Sequence, residues 1–138
     1  MIRNLCFICL IAVVHSVLGE STQSYKDAVT PLANECIPQV GASDDDFQAV
    51  LNRNRLETRP AKCLLACVFE KMGAFSADGR LLNGDNIMPI IDRLYGFKEY
   101  QSVLRAQLVR NCVDQVNGKD TDQCELIAQT LHCIIEQQ

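Results

Sequence analysis

Apolar residues recur every three or four positions along most of the chain, and this spacing predicts amphipathic helices. Ser24 is suited to cap a first helix that runs to Cys36, with Pro31 as a kink. Ser43 predicts the beginning of a second helix, because the aspartates that follow it, Asp44 to Asp46, are favourable at the positive end of the helix dipole. These aspartates are consecutive and lack the glycine of a calcium loop, so capping is preferred to calcium binding.

A third helix is bracketed by Thr58 and Gly73, with Pro60 just inside its first turn. Asp78 and Gly79 form a turn signal in the loop that follows. Three more apolar stripes with helical spacing occupy the rest of the sequence, which carries no strand signal. The fourth helix is expected to begin at Asn83 or Asp85 and to end at Gly96. The fifth is expected to end at Asn117 and Gly118, and the sixth to begin at Asp120 or Thr121. Six short helices without a strand indicate an all-α domain.

The first residues have the three parts of a secretory signal peptide. Arg3 supplies a positive charge, Leu5 to Val14 form an uncharged apolar stretch, and Gly19 is a small residue suited to the cleavage site. The apolar stretch is much shorter than the roughly 20 residues that cross a bilayer as a helix. We therefore expect residues 1–19 to be the signal and residues 20–138 to form one domain; a buried N-terminal helix is the alternative.

Six of the eight cysteines remain after residue 19. An even number of cysteines in a short secreted chain is typical of a disulfide framework. Zinc binding is the alternative, but zinc ligands usually form close cysteine pairs with histidines nearby, and this part of the chain has one such pair and one histidine, His132. We expect three disulfides, with no metal and no cofactor. The six cysteines are Cys36, Cys63, Cys67, Cys112, Cys124 and Cys133.

Helical geometry restricts how these cysteines can pair. Cys63 and Cys67 are four residues apart and share one helix face, so their side chains point the same way and cannot bond to each other. Cys124 and Cys133 are nine residues apart, which places them on opposite sides of the last helix. Excluding these two bonds leaves ten of the fifteen pairings that six cysteines allow.

The spacing Cys-x26-Cys-x3-Cys-x44-Cys-x11-Cys-x8-Cys resembles the six-cysteine pattern of insect odorant-binding proteins, in the general and pheromone-binding group. The segment CLLACVFEKMG from Cys63 to Gly73 and the downstream Asp78-Gly79 are also similar to that family. The resemblance covers essentially all of residues 20–138. It implies one of the ten allowed pairings, with bonds Cys36 to Cys67, Cys63 to Cys124, and Cys112 to Cys133.

The resemblance implies about six short helices around an apolar cavity, locked by three interlocking disulfides. Disulfides contribute about 2 to 4 kcal/mol each, which would offset the packing lost to a cavity. A pocket of this kind is lined mainly by apolar side chains, although each candidate could equally pack a solid core. The candidate ligand-binding residues are Phe75, Leu81, Leu82, Met88, Ile91, Leu94, Tyr95, Leu104, Leu108, Ile127, Leu131 and Ile134.

The net charge narrows the choice of partners. The whole chain has a formal charge of -4, and removing Arg3 with the signal leaves -5. This negative charge argues against binding to nucleic acid or to anionic membrane surfaces, because both require clustered Lys and Arg. By the resemblance, we expect a secreted carrier of a small hydrophobic ligand, an odorant or pheromone. We also expect a membrane chemoreceptor as a second partner and a monomer or weak homodimer.

Two other functions remain open. One is a secreted binding protein of the same fold that sequesters a lipid or small effector outside olfaction. The other is a small lipid-hydrolysing enzyme, for which catalytic residues are scarce: His132 is the sole histidine after residue 19, and the adjacent cysteine pair and glycine-rich calcium loop of secreted phospholipases are missing. We therefore expect no catalytic residues.

His132 also bears on release, because its ordinary pKa of about 6.5 lies where mild acidity acts. We expect only a weak dependence of ligand affinity on pH, carried mostly by carboxylates.

Overall fold

The computed structural model describes residues 23–81, 83–95, 99–119 and 122–137, with side chains omitted for residues 95 and 99–105. These ranges contain six helices and no strand, so the expected all-α fold is confirmed. The expected signal peptide, residues 1–19, lies outside the described residues. The helices are α1, which covers residues 23–40, α2 (Asp44–Leu51), α3 (Arg59–Lys71), α4 (Gly84–Tyr95), α5 (Glu99–Asn117) and α6 (Gln123–Glu136).

Three helix beginnings follow the sequence prediction. The Ser43 side chain accepts from the amide of Asp46, and Asp46 accepts in return from the amide of Ser43, which completes a capping box on α2. Thr58 caps α3 through a hydrogen bond from the amide of Ala61. Asn83 accepts from the amide of Asn86 at 3.0 Å and so caps α4.

Two other predicted caps are wrong. Residue 23 is already helical, so Ser24 lies inside α1 and does not cap it, and the helix continues through Pro31. The cap of α6 is Asp122, whose carboxylate accepts from the amide of Glu125 at 3.1 Å. Three consecutive side chains before α6 are suited to cap it. The cap is Asp122 because it lies three residues before Glu125, whose amide has no acceptor within the helix. The other two, Asp120 and Thr121, and the predicted stop at Gly96 lie outside the described residues.

Helix α3 holds the centre of the packing. It packs against α2 on one side and α6 on the other, while α5 packs against both α4 and α6. Leu64, Leu65 and Phe69 of α3 are fully buried, as are Leu126 and Ile127 of α6. The apolar stripes of these helices therefore form one shared core.

Three disulfide bonds cross-link this core. They join α1 to α3, α3 to α6, and α5 to α6, so that every bond connects two different helices. The sequence separations of 31, 61 and 21 residues make each bond a substantial restriction on the unfolded chain. The bonds are Cys36–Cys67, Cys63–Cys124 and Cys112–Cys133, the same pairs that the family resemblance implies.

The loop between α3 and α4 is fixed to the end of α5. Phe75 and Leu81 form an isolated antiparallel bridge across the predicted turn, in which Gly79 has a φ of 80°, a left-handed conformation that suits glycine. The side-chain amide of Asn117 donates to the carbonyl of Leu81 at 3.0 Å and accepts from its amide at 3.2 Å. This pair of bonds positions Leu81 in the core, where it is buried.

Helices α4 and α5 approach each other closely at Gly84. A Cβ atom at this position would lie 2.6 Å from the Cα of Arg110, closer than atoms can pack. Asp85 and Arg110 form an ion pair beside this contact, with 2.6 Å between the carboxylate Oδ1 and Nε. The absence of a side chain at Gly84 therefore sets the distance between the two helices.

Candidate functional site

A groove opens on the face of the molecule formed by α1, α2, α3 and α6. The groove encloses about 20 Å³, which is space for about one water molecule, and the rest of it is open to solvent. Most of its lining is apolar, with a few polar side chains, which is the usual composition of a site for small hydrophobic compounds. The lining residues are Tyr25, Ala49, Val50, Arg53, Asn54, Leu56, Leu65, Ala128, Leu131, His132 and Ile135.

The floor of the groove is buried and its rim is exposed. Val50 and Leu65 are both 1% exposed, and Ala128 is 2% exposed, so the floor belongs to the core. At the rim, Ile135 near the end of α6 is 53% exposed, which is high for a large apolar side chain. An apolar surface thus continues from the core to solvent, and a hydrophobic molecule could be covered there.

Tyr25 and Arg53 build the α1–α2 side of the groove. The hydroxyl of Tyr25 donates to the carbonyl of Val50 at 2.7 Å, and this bond holds α1 against the end of α2. The backbone amide of Arg53 donates to the same carbonyl at 3.2 Å. The guanidinium of Arg53 lies 5.3 Å from the centre of the Tyr25 ring, within the range of a cation–π contact. An aromatic ring and a cation are therefore fixed together at this wall.

Arg53 has an unusual backbone conformation for its residue type. Its φ is 55°, in the left-handed region, where a side chain with a Cβ atom costs roughly 1 to 2 kcal/mol. It is the second residue after α2, next to the C-cap Asn52, at a position that often carries glycine. This conformation places the arginine side chain at the edge of the groove, and a glycine would have no side chain there. Backbone strain of this kind tends to mark functional positions.

His132 is the polar residue that α6 contributes to the groove. Its Nε2 atom is buried and has no hydrogen-bond partner among the described residues. Burial, together with the positive charges of Arg55 and Lys62, lowers the pKa of His132, although Glu136 and Glu125 act in the opposite direction. The imidazole is therefore neutral at pH 7. No described hydroxyl, thiol or carboxylate bonds to the Nε2 of His132.

The aspartates at the beginning of α2 serve a structural purpose. Asp46 accepts a hydrogen bond from the hydroxyl of Thr58 at 2.6 Å and another from the amide of Ser43 at 2.9 Å, and these bonds lower its pKa. They join the beginnings of α2 and α3. In the described part of the chain, no group of three or more histidine, cysteine or acidic side chains is arranged to hold a metal ion.

The residues predicted to line a pocket occupy three kinds of position. Those buried in the core are Leu81, Met88, Ile91, Leu94 and Ile127. Those half-buried are Phe75, Leu108, Leu131 and Ile134. Leu82 lies outside the described residues, as do the side chains of Tyr95 and Leu104. Among the members of the predicted set whose side chains are described, Leu131 alone also lines the groove.

Sequence reasoning missed the wall formed by α1 and α2. Tyr25 and Val50 fall on the apolar stripes of their helices, which marks them as buried but not as neighbours of a cleft. Nothing in the sequence marks Arg53, because its left-handed conformation and its position over the Tyr25 ring depend on the packing of α1 against α2. The burial of the His132 Nε2 atom is likewise a result of packing.

Comparisons with known proteins agree with this fold. A pheromone-binding protein of the cockroach Leucophaea maderae, whose crystal structure contains the fluorescent reporter ANS, is 49% identical and superimposes with a TM-score of 0.75, over 84% of this chain and 97% of that one. Odorant-binding protein 28a of Drosophila melanogaster, at 24% identity and a TM-score of 0.61, covers 80% of this chain and 91% of its own, and supports the fold.

Sequence relatives lead to the same group. General odorant-binding protein 19d of Drosophila melanogaster is 28% identical over 112 residues, which are 81% of this chain and 73% of the relative. The profile of the PBP/GOBP family matches residues 19–137. The chain therefore belongs to the PBP/GOBP family of odorant- and pheromone-binding proteins.

Proposed function

We propose that this protein carries a small hydrophobic ligand, an odorant or pheromone, through an aqueous extracellular fluid. The observation that carries the proposal is the groove, an apolar cleft that runs from the buried core to solvent and is edged by a few polar side chains. Family membership and the ANS-bound cockroach relative support the same function. The ligand binds in the groove, with Leu65, Val50 and Leu131 against its apolar part.

The ligand site extends inward from this groove. Known sites for small molecules occupy about 300 to 1,000 Å³. The groove itself encloses only about 20 Å³, so a ligand requires further space. Three residues predicted from the sequence form the proposed continuation of the site: Met88 and Ile91, which are buried, and Ile134, which is half-buried. Their apolar side chains can move apart on binding at little polar cost, since the atoms separated make only dispersion contacts.

A titration with ANS tests this function. The protein should bind the probe saturably at one site per chain, and apolar volatile compounds should displace it. A Leu131→Glu variant, which places a charge in the groove, should lose most of the affinity, whereas Ile37→Glu on α1, away from the groove, should not. Unsaturable probe binding, or equal binding by both variants, would contradict a ligand site in the groove.

We also propose that the protein is secreted after cleavage behind Gly19. Three disulfides support an oxidising compartment, and no described helix is long and apolar enough to span a membrane. Mass spectrometry of the protein purified from its native fluid should give the mass of residues 20–138. A mass that retains residues 1–19 would contradict the proposal.

The carrier acts, in this proposal, as a monomer or weak homodimer that delivers its ligand to a membrane chemoreceptor. The alternative is a carrier of the same fold outside olfaction, and the tissue in which the protein is expressed separates the two. Lipid hydrolysis is disfavoured because, within the described ranges, no nucleophile is bonded to the Nε2 of His132. Turnover of phospholipids or esters by the purified protein would reverse that assignment.

A further inference from the structure

The buried Nε2 of His132, at the edge of an apolar site, has no hydrogen-bond partner in the part of the chain that the structure describes. Its ring contributes to the groove lining, and its neighbours there, Leu131 and Ile135, are apolar. Buried polar atoms are nearly always hydrogen-bonded, because burial removes the bonds to water that such an atom would otherwise make. An unsatisfied atom in a binding site is therefore a place where a ligand can supply the missing bond.

We infer that His132 forms a hydrogen bond through Nε2 with the polar end of the bound ligand, so that the groove selects hydroxyl-bearing apolar compounds over hydrocarbons. This inference rests on the proposed carrier function and specifies the ligand class. A hydroxyl fits better than other polar groups because it both donates and accepts. It can therefore bond to Nε2 whichever ring nitrogen carries the proton.

The charges around His132 favour a neutral partner. The charges of Arg55 and Lys62 lower the pKa of His132, whereas those of Glu136 and Glu125 raise it. Lys62 is already paired with Glu125 at 3.1 Å. The neutral imidazole therefore gains little from a charge on the ligand. What it lacks is a hydrogen bond, which an alcohol supplies without bringing a charge into an apolar site.

Two ligands of matched size, decanol and undecane, separate hydrogen bonding from hydrophobic contact. Their dissociation constants are measured by displacement of N-phenylnaphthylamine, an uncharged fluorescent probe whose binding does not depend on the charge of Arg53 or His132. Water solvates the alcohol better than the alkane, so the informative quantity is the change in their affinity ratio between variants.

Three variants complete the design. His132→Phe keeps a flat ring but removes the nitrogen, and His132→Gln keeps a side chain that can hydrogen-bond. Gln129→Met is the matched control. The Oε1 of Gln129 on the same helix is also buried without a partner among the described residues, but Gln129 does not line the groove. Losing an unpartnered buried atom should not unfold the chain, and circular dichroism checks this for each variant.

His132→Phe should weaken decanol binding about tenfold while undecane changes less than about twofold, as expected for loss of one buried hydrogen bond. His132→Gln should restore part of the alcohol affinity, and Gln129→Met should leave both ligands unchanged. If both ligands displace the probe but His132→Phe affects them equally, the inference is wrong and the carrier function stands. If neither ligand displaces the probe from the wild type, the proposed function fails, and the inference with it.

Discussion

Replacing Tyr25 by Phe tests how the wall of the groove is held. The ring is 2% exposed, and the substitution keeps it while removing the hydroxyl that donates to the carbonyl of Val50 at 2.7 Å. The carbonyl is not left without a donor, because the amide of Arg53 still bonds to it at 3.2 Å. The cost is therefore that of one ordinary buried hydrogen bond, about 1 kcal/mol, which for a domain of this size lowers the melting temperature by roughly 4 °C.

Urea unfolding followed by circular dichroism measures this effect. Tyr25→Leu is the companion variant: it also removes the ring and the cation–π contact with Arg53, and should cost at least about 2 kcal/mol more. An unchanged unfolding midpoint in Tyr25→Phe would show that the hydroxyl does not hold α1 against α2. A decrease of more than about 3 kcal/mol in the free energy of unfolding would show that the Val50 carbonyl is left without a donor. That result would contradict the bond from the Arg53 amide.

Three further predictions concern the packing, the cross-links and the response to pH. Gly84→Ala should destabilise the protein by about 1 to 3 kcal/mol, because the new Cβ would meet the Arg110 backbone. Gly118→Ala is the control, because a Cβ at Gly118 would lie 3.7 Å from its nearest neighbour. Equal losses of stability in the two variants would refute the close helix contact. A thiol titration of residues 20–138 should find no reactive group, and two or more would contradict the disulfide framework. Because the pKa of His132 is lowered by folding, its contribution to stability is present above its ordinary pKa and is lost as the pH falls below it. Ligand affinity should vary only weakly between pH 7 and about 5.5, since a protonated Nε2 still donates to a ligand hydroxyl; a loss above about tenfold that His132→Gln abolishes would indicate a histidine switch.

The helices could be predicted from the sequence because each depends on local features. Apolar spacing places α2 and α3, and the side chains of Ser43, Thr58 and Asn83 cap the helices that follow them, as predicted. The cap of α6 was harder to predict, because Asp120, Thr121 and Asp122 are all suited to cap a helix. The position of the first helical turn decides among them. The cysteine bonds required more than spacing, because helix geometry alone left ten pairings open.

The groove could not be predicted for a physical reason. Apolar residues such as Ile91 and Leu94 are equally suited to a cavity wall and to a solid core, and in this structure both are buried in the core. The wall of the groove instead depends on contacts between residues distant in the sequence. Tyr25 meets Val50 across 25 residues, and this contact fixes where Arg53 lies.

The most direct test of the ligand site is to map it by two-dimensional NMR while decanol is added to the protein. The amide chemical shifts should change most in the groove, around Tyr25, in residues 49–56 and in residues 128–135, and should saturate at one decanol per chain. Changes in residues 75–94 with the groove unaffected would place the ligand elsewhere and contradict the account.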